Sequence, residues 1–109
     1  MLPYAIEPMN HRVLDVFPKP EYVNGQRTGE QDTNAQGIPM WSIQVKLLFE
    51  DQHGDPTNEI IRISVPGTSE PKNLKDQRIQ VENLLVGASP GGLYFRADSV
   101  NPDHAAKAA

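Results

Sequence analysis

Three stretches carry residue types that could perform catalysis or hold a metal, and each fails on its setting. Gly87-Ala88-Ser89-Pro90-Gly91 matches the G-x-S-x-G pattern of a nucleophile elbow. An elbow must lead from a strand into a helix. Here an alternating, strand-like run follows, and Pro90 has no N–H to offer an oxyanion, so the stretch reads as a hairpin turn. Asp51, His53 and Asp55 place two carboxylates and one imidazole on a Gly/Pro-rich loop, which matches no standard metal motif and reads as a solvated turn. The histidines, His11, His53 and His104, lie in separate regions with no spaced acid–base partner. Cysteine is absent, which excludes disulfides, thiolate metal sites and thiol nucleophiles. No glycine run precedes a Lys-Ser/Thr pair, as a phosphate-binding loop would require. The expectation is a protein that is not an enzyme and needs no metal or cofactor.

Binding chemistry is better represented. Strand-period alternation in residues 41–49 sends Trp41, Ile43, Val45, Leu47 and Phe49 to one face, leaving Gln44 and Lys46 on the other. Residues 60–65 do the same, with Ile61, Ile63 and Val65 opposed to Arg62 and Ser64. In residues 93–98, Tyr94 and Arg96 oppose Leu93 and Phe95. If the apolar sets face inward, Lys46, Arg62 and Arg96 form a basic stripe with Tyr94. Such a stripe tracks a phosphate backbone, and an exposed aromatic ring stacks on bases with little sequence preference. Taken singly, an outward Lys or Arg on a strand ordinarily solubilises or guards an edge, and Tyr94 could equally cap the core. Trp41 falls in register with the inward set and reads as core at the barrel end more readily than as a stacking platform, an alternative its proximity to the loop keeps open.

The elements that must position these residues are short strands. Residues 11–17 form a first strand of less clean alternation, ended by Pro18 and Pro20. Residues 24–37, with Ala35 as their one apolar residue, read as a long exposed loop. Residues 41–49 and 60–65 make a long hairpin around Asp51–Pro56. Residues 70–77, with Pro71 at a possible first helical position, suggest a short helical turn. Residues 78–82 and 93–98 make a second hairpin through the Gly87–Gly92 turn, and the tail from Asn101 has little to bury.

A chain of 109 residues with 38% hydrophobic content, 10 Pro and 8 Gly is one turn-rich globular domain. The expected fold is all-β: a five-stranded OB-like Greek-key barrel, with the long loop between strands 1 and 2. Its core spans about residues 11–101 and the tail residues 102–109 are frayed. The first residues lack the basic and apolar regions of a signal peptide, and no apolar run reaches membrane-spanning length, so a cytoplasmic, membrane-free protein is expected. A net charge of −4 lowers the expectation of bulk electrostatic binding to duplex DNA without excluding a local basic face.

The runs Gly37–Val45, Ile61–Pro66 and Leu93–Val100 resemble small proteins encoded on actinobacterial plasmids and integrative elements. Their layout is similar to that of the filamentous-phage single-strand-binding proteins. The resemblance covers roughly residues 11–101 and implies a role beside replication or transfer of a mobile element. It also implies single-stranded DNA held by arginines and tyrosines, and possible homodimers. Arg27, Tyr94 and Arg96 fall in comparable places, but Glu30 and Asp32 in the loop depart from the more basic pattern of those proteins. Two readings follow. One is a single-stranded DNA-binding module using Arg27, Lys46, Arg62, Tyr94 and Arg96. The other is a protein-interaction barrel docking a replication or transfer protein, which the acidic net charge favours.

Overall fold

The computed structural model describes residues 1–103. His104, a candidate named above, and the remaining tail lie outside the described residues. The chain is all-β, with ten strands and no helix among these residues. They are β1 (Leu2–Pro3), β2 (Asn10–Pro18), β3 (Pro20–Val23), β4 (Gln26–Gln31), β5 (Met40–Glu50), β6 (Pro56–Pro66), β7 (Ile79–Glu82), β8 (Leu85–Ser89), β9 (Gly92–Arg96) and β10 (Ser99–Pro102). Six strands form one mixed sheet in the order β1-β8-β9-β6-β5-β2, while β10-β7 and β3-β4 are separate two-stranded sheets.

The alternating apolar runs behave as their period requires. Hairpin β5–β6 keeps an uninterrupted register from Met40↔Pro66 to Glu50↔Pro56. Ile43, Val45, Leu47, Ile61, Ile63 and Val65 are buried along its inner face. They join Ile6, Val13, Leu74, Ile79, Leu84, Phe95 and Ala97 in one core, against which Trp41, Val81 and Val100 pack. The Trp41 indole N–H donates to the Gly67 carbonyl at 2.8 Å, so the polar atom of this half-buried ring is satisfied.

The imperfect alternation of the first strand has a structural cause. Val13 pairs with Val45 and Val16 with Ile43, so three steps of β2 oppose two of β5, and the irregularity falls between Val13 and Asp15. The extra residue is a β-bulge that restores both valines to the inner face. His11 sits beneath it, buried. Its Nδ1 lies 2.8 Å from the Met9 carbonyl, and its Nε2 accepts from the Ile79 N–H at 3.1 Å. With Nδ1 at one carbonyl and Nε2 at one backbone N–H, the ring ties β2 to β7.

Among the described residues the strands make a mixed six-stranded sheet and two small ones, and no closed barrel is found where a five-stranded one is expected. Three further expectations are corrected. The long loop at 24–37 is largely a hairpin. Asn24 and Gly25 both have positive φ, 53° and 80°, the turn type that matches the twist of flanking strands, and β3 and β4 pair across it. Residues 70–77 form no helix; their last two meet β2, with Asp76 N–H donating to the Val13 carbonyl and Val13 N–H donating to that of Gln77. Finally, residues 78–82 do not pair with 93–98. β7 pairs with β10, so Asn101 and Pro102 belong to a strand rather than to a frayed tail, and β9 pairs with β8. Among the described residues, no helix is long and apolar enough to cross a membrane.

Candidate functional site

Strands β6 and β9 run parallel and meet only at Ile63↔Phe95 and Ser64↔Arg96, with the Ala97 N–H donating to the Ser64 carbonyl just beyond. Upstream of these pairs no ladder joins the two strands. A groove of about 1020 Å³ opens there, lined by Glu59–Arg62 of β6 and Leu93–Arg96 of β9. Outward residues of β5, Ser42 and Gln44, and Phe17 of β2 extend its lining. On the remaining side stands hairpin β3–β4, which contributes Pro20, Tyr22 and Arg27.

The hairpin is anchored at its base rather than by a core. Lys19 N–H donates to the Met40 carbonyl at 3.1 Å, and the Asp32 N–H donates to the Lys19 carbonyl at 2.8 Å. The Gln31 amide reaches the Met40 carbonyl at 2.8 Å, and the Lys19 ammonium pairs with Asp32 at 3.2 Å. Further out, the Thr28 hydroxyl donates to Glu21 across the strands at 2.9 Å. The type of turn at Asn24-Gly25 sets Tyr22 directly opposite Arg27. The Arg27 guanidinium carbon then sits 5.9 Å from the Tyr22 ring centre, within cation–π range.

A second such pair lies on the sheet, where the Arg62 guanidinium carbon is 5.6 Å from the Phe17 ring centre. Among the described residues the ion pairs are Arg12–Asp76 and Lys19–Asp32, so the guanidinium groups of Arg27, Arg62 and Arg96 have no carboxylate partner. The groove thus carries four cationic side chains, Lys19, Arg27, Arg62 and Arg96, against the carboxylates of Asp32 and Glu59, on a chain whose net charge is −4. Tyr22 and Tyr94 are exposed there at 58% and 44%. Glu82 and Asp98 lie elsewhere: Glu82 accepts from the Ser99 hydroxyl, and Asp98 from the Asn83 amide.

The structure therefore brings together Arg27, Arg62, Tyr94 and Arg96. It does not bring in Lys46, which is opposite Ile60 on one side and Arg12 on the other and lies outside the groove lining. Phe17, Lys19 and Tyr22 belong to the groove and are not singled out by type and alternation, while Gln44, which alternation puts on the outward face, lines it too. Tyr22 had a readable signal, since it lies as far before Asn24-Gly25 as Arg27 lies after it.

The catalysis-like stretches have local roles. Ser89 closes the β8–β9 turn by donating to the Gly92 carbonyl at 3.0 Å, with strands rather than a helix on both sides. Asp51 accepts from the backbone N–H groups of His53 and Asp55, an arrangement that shapes the β5–β6 loop. No family model matches the chain, and neither a curated protein nor a solved structure matches it.

Proposed function

We propose that this chain binds single-stranded nucleic acid, DNA in the first instance, along the groove between β6, β9 and hairpin β3–β4. The observation that carries the reading is the convergence of three guanidinium groups without ion-pair partners, Arg27, Arg62 and Arg96, with the exposed rings of Tyr22 and Tyr94. Unpaired guanidinium groups offer forked donors to phosphate oxygens, and exposed rings offer stacking faces to unpaired bases. A local cationic groove on an acidic protein concentrates the attraction in one place and leaves the rest of the surface repulsive to polyanions. An accessory role in replication or transfer of a mobile element, in the cytoplasm and as a homodimer, belongs to the same proposal, as does kinship with the OB-type layout.

A second reading has its own observation. Ile60 and Leu93, 53% and 66% exposed, stand on facing walls of the groove, where β6 and β9 share no ladder. An extended segment of a replication or transfer protein, adding a strand and seating apolar side chains, is the alternative occupant.

Fluorescence anisotropy of a labelled single strand at two salt concentrations separates the readings. Under the first, the single strand binds more tightly than duplex and weakens with salt. The Arg62→Ala/Arg96→Ala variant binds about tenfold or more weakly, and its salt slope flattens by roughly 0.7 for each phosphate no longer neutralised. Absence of binding at low salt rejects this reading and leaves the protein-docking one.

A further inference from the structure

Within the groove, Tyr94 depends on a residue that does not itself line it. Gly87 of β8 lies directly opposite Tyr94 of β9. A Cβ built on Gly87 would fall 2.8 Å from Tyr94 Cε2, with Cζ and the hydroxyl closer still. The Tyr94 ring therefore occupies the space that any other residue at position 87 would fill. It leans across β8, away from the gap between β6 and β9. Gly87 also lacks the positive φ seen at several other glycines, so its backbone suits any L residue and the absent side chain is its distinguishing property.

We propose that Gly87 is a positioning residue for the ligand: it lets the Tyr94 ring lie on strand β8 as a preformed floor, one face on backbone and the other open to receive an unpaired nucleobase. A ring already held flat loses little rotamer freedom when a base stacks on it, so more of the stacking energy appears as affinity. An alanine methyl at 87 meets only the far end of a side chain. It tips Tyr94 toward the gap and leaves the sheet backbone in place.

This inference rests on the nucleic-acid reading, and the experiment keeps the two apart. A thymidine oligonucleotide and an abasic strand of equal length are titrated against the wild type, Gly87→Ala, Tyr94→Phe, Tyr94→Ala and the Gly87→Ala/Tyr94→Ala double variant, with melting temperatures followed alongside. Gly87→Ala is expected to weaken thymidine-strand binding about tenfold, the size of one lost base stack. The abasic strand should bind it as it binds the wild type. Tyr94→Phe, which keeps the ring, should retain more thymidine-strand affinity than Tyr94→Ala, and Gly87→Ala should add nothing to Tyr94→Ala. Equal losses for both strands, an unchanged affinity, or additive losses in the double variant would overturn the inference while leaving the arginine-dependent reading intact. Failure of the wild type to bind either strand overturns both.

Discussion

Hairpin β5–β6 places six buried apolar side chains in the core, Ile43, Val45, Leu47, Ile61, Ile63 and Val65, whereas no residue of hairpin β3–β4 is buried. The first is flanked by neighbours on both sides, β2 and β9, and is held by burial. The second is a two-stranded unit held by its turn, its cross-strand pairs and the clamp at Lys19, Asp32 and Met40. Such a unit is marginal by itself in water. The contrast separates stability from the candidate function within one chain, since the hairpin that contributes nothing to the core contributes Tyr22 and Arg27 to the groove.

The largest break in this comparison is a core truncation. Ile63→Ala removes a fully buried side chain and should cost about 2–5 kcal/mol by chemical denaturation, lowering stability of the whole sheet. A loss below about 1 kcal/mol would mean that the inner face of β5–β6 is not the centre of stability.

A smaller and confined effect is expected from Gly25→Val. The turn needs positive φ at this position, and a β-branched residue there costs roughly 1–2 kcal/mol. Because the hairpin has no core residues, the cost should appear as faster amide exchange within β3 and β4, with the main sheet unchanged and ligand binding weakened severalfold. A global melting shift as large as that of Ile63→Ala would refute the independence of the two hairpins.

The smallest effect sharpens the boundary of the groove. Lys46→Ala should leave stability within about 0.5 kcal/mol and change oligonucleotide affinity less than twofold, because Lys46 lies outside the groove lining. Should it weaken binding as much as Arg62→Ala, the ligand path would cross β5 toward β2.

These differences also explain what the sequence discloses. Strands β5 and β6 are legible because half-buried strands must alternate, and the outward parity of Arg62, Tyr94 and Arg96 follows from the same rule. Hairpin β3–β4 is hidden from a search for apolar periodicity because nothing in it is buried. Its signal is turn chemistry, the Asn24-Gly25 pair, rather than hydrophobicity. Strand β8 is hidden for a different reason: Gly87-Ala88-Ser89 has turn-like composition, but Gly87 is small so that the Tyr94 ring can cover it. Lys46 shows the limit of parity, which assigns a face but not a place along the sheet. That place depends on β9 joining β6 at its far end, a long-range pairing that no local pattern announces.

That junction has a mechanical consequence. Ser64 and Arg96 lie far apart along the chain, and two parallel pairs with one following hydrogen bond fasten the strands on which they sit. Parallel ladders are slightly weaker per residue than antiparallel ones, and this one is short. The junction is therefore a short fastening between two long stretches of chain, and it lies at the closed end of the groove. Its opening widens the cleft while hairpin β5–β6 stays zipped. The amide of Ala97, bonded to Ser64, is its natural reporter: an occupant that bridges both walls slows exchange there, and one resting on a single wall leaves it unchanged.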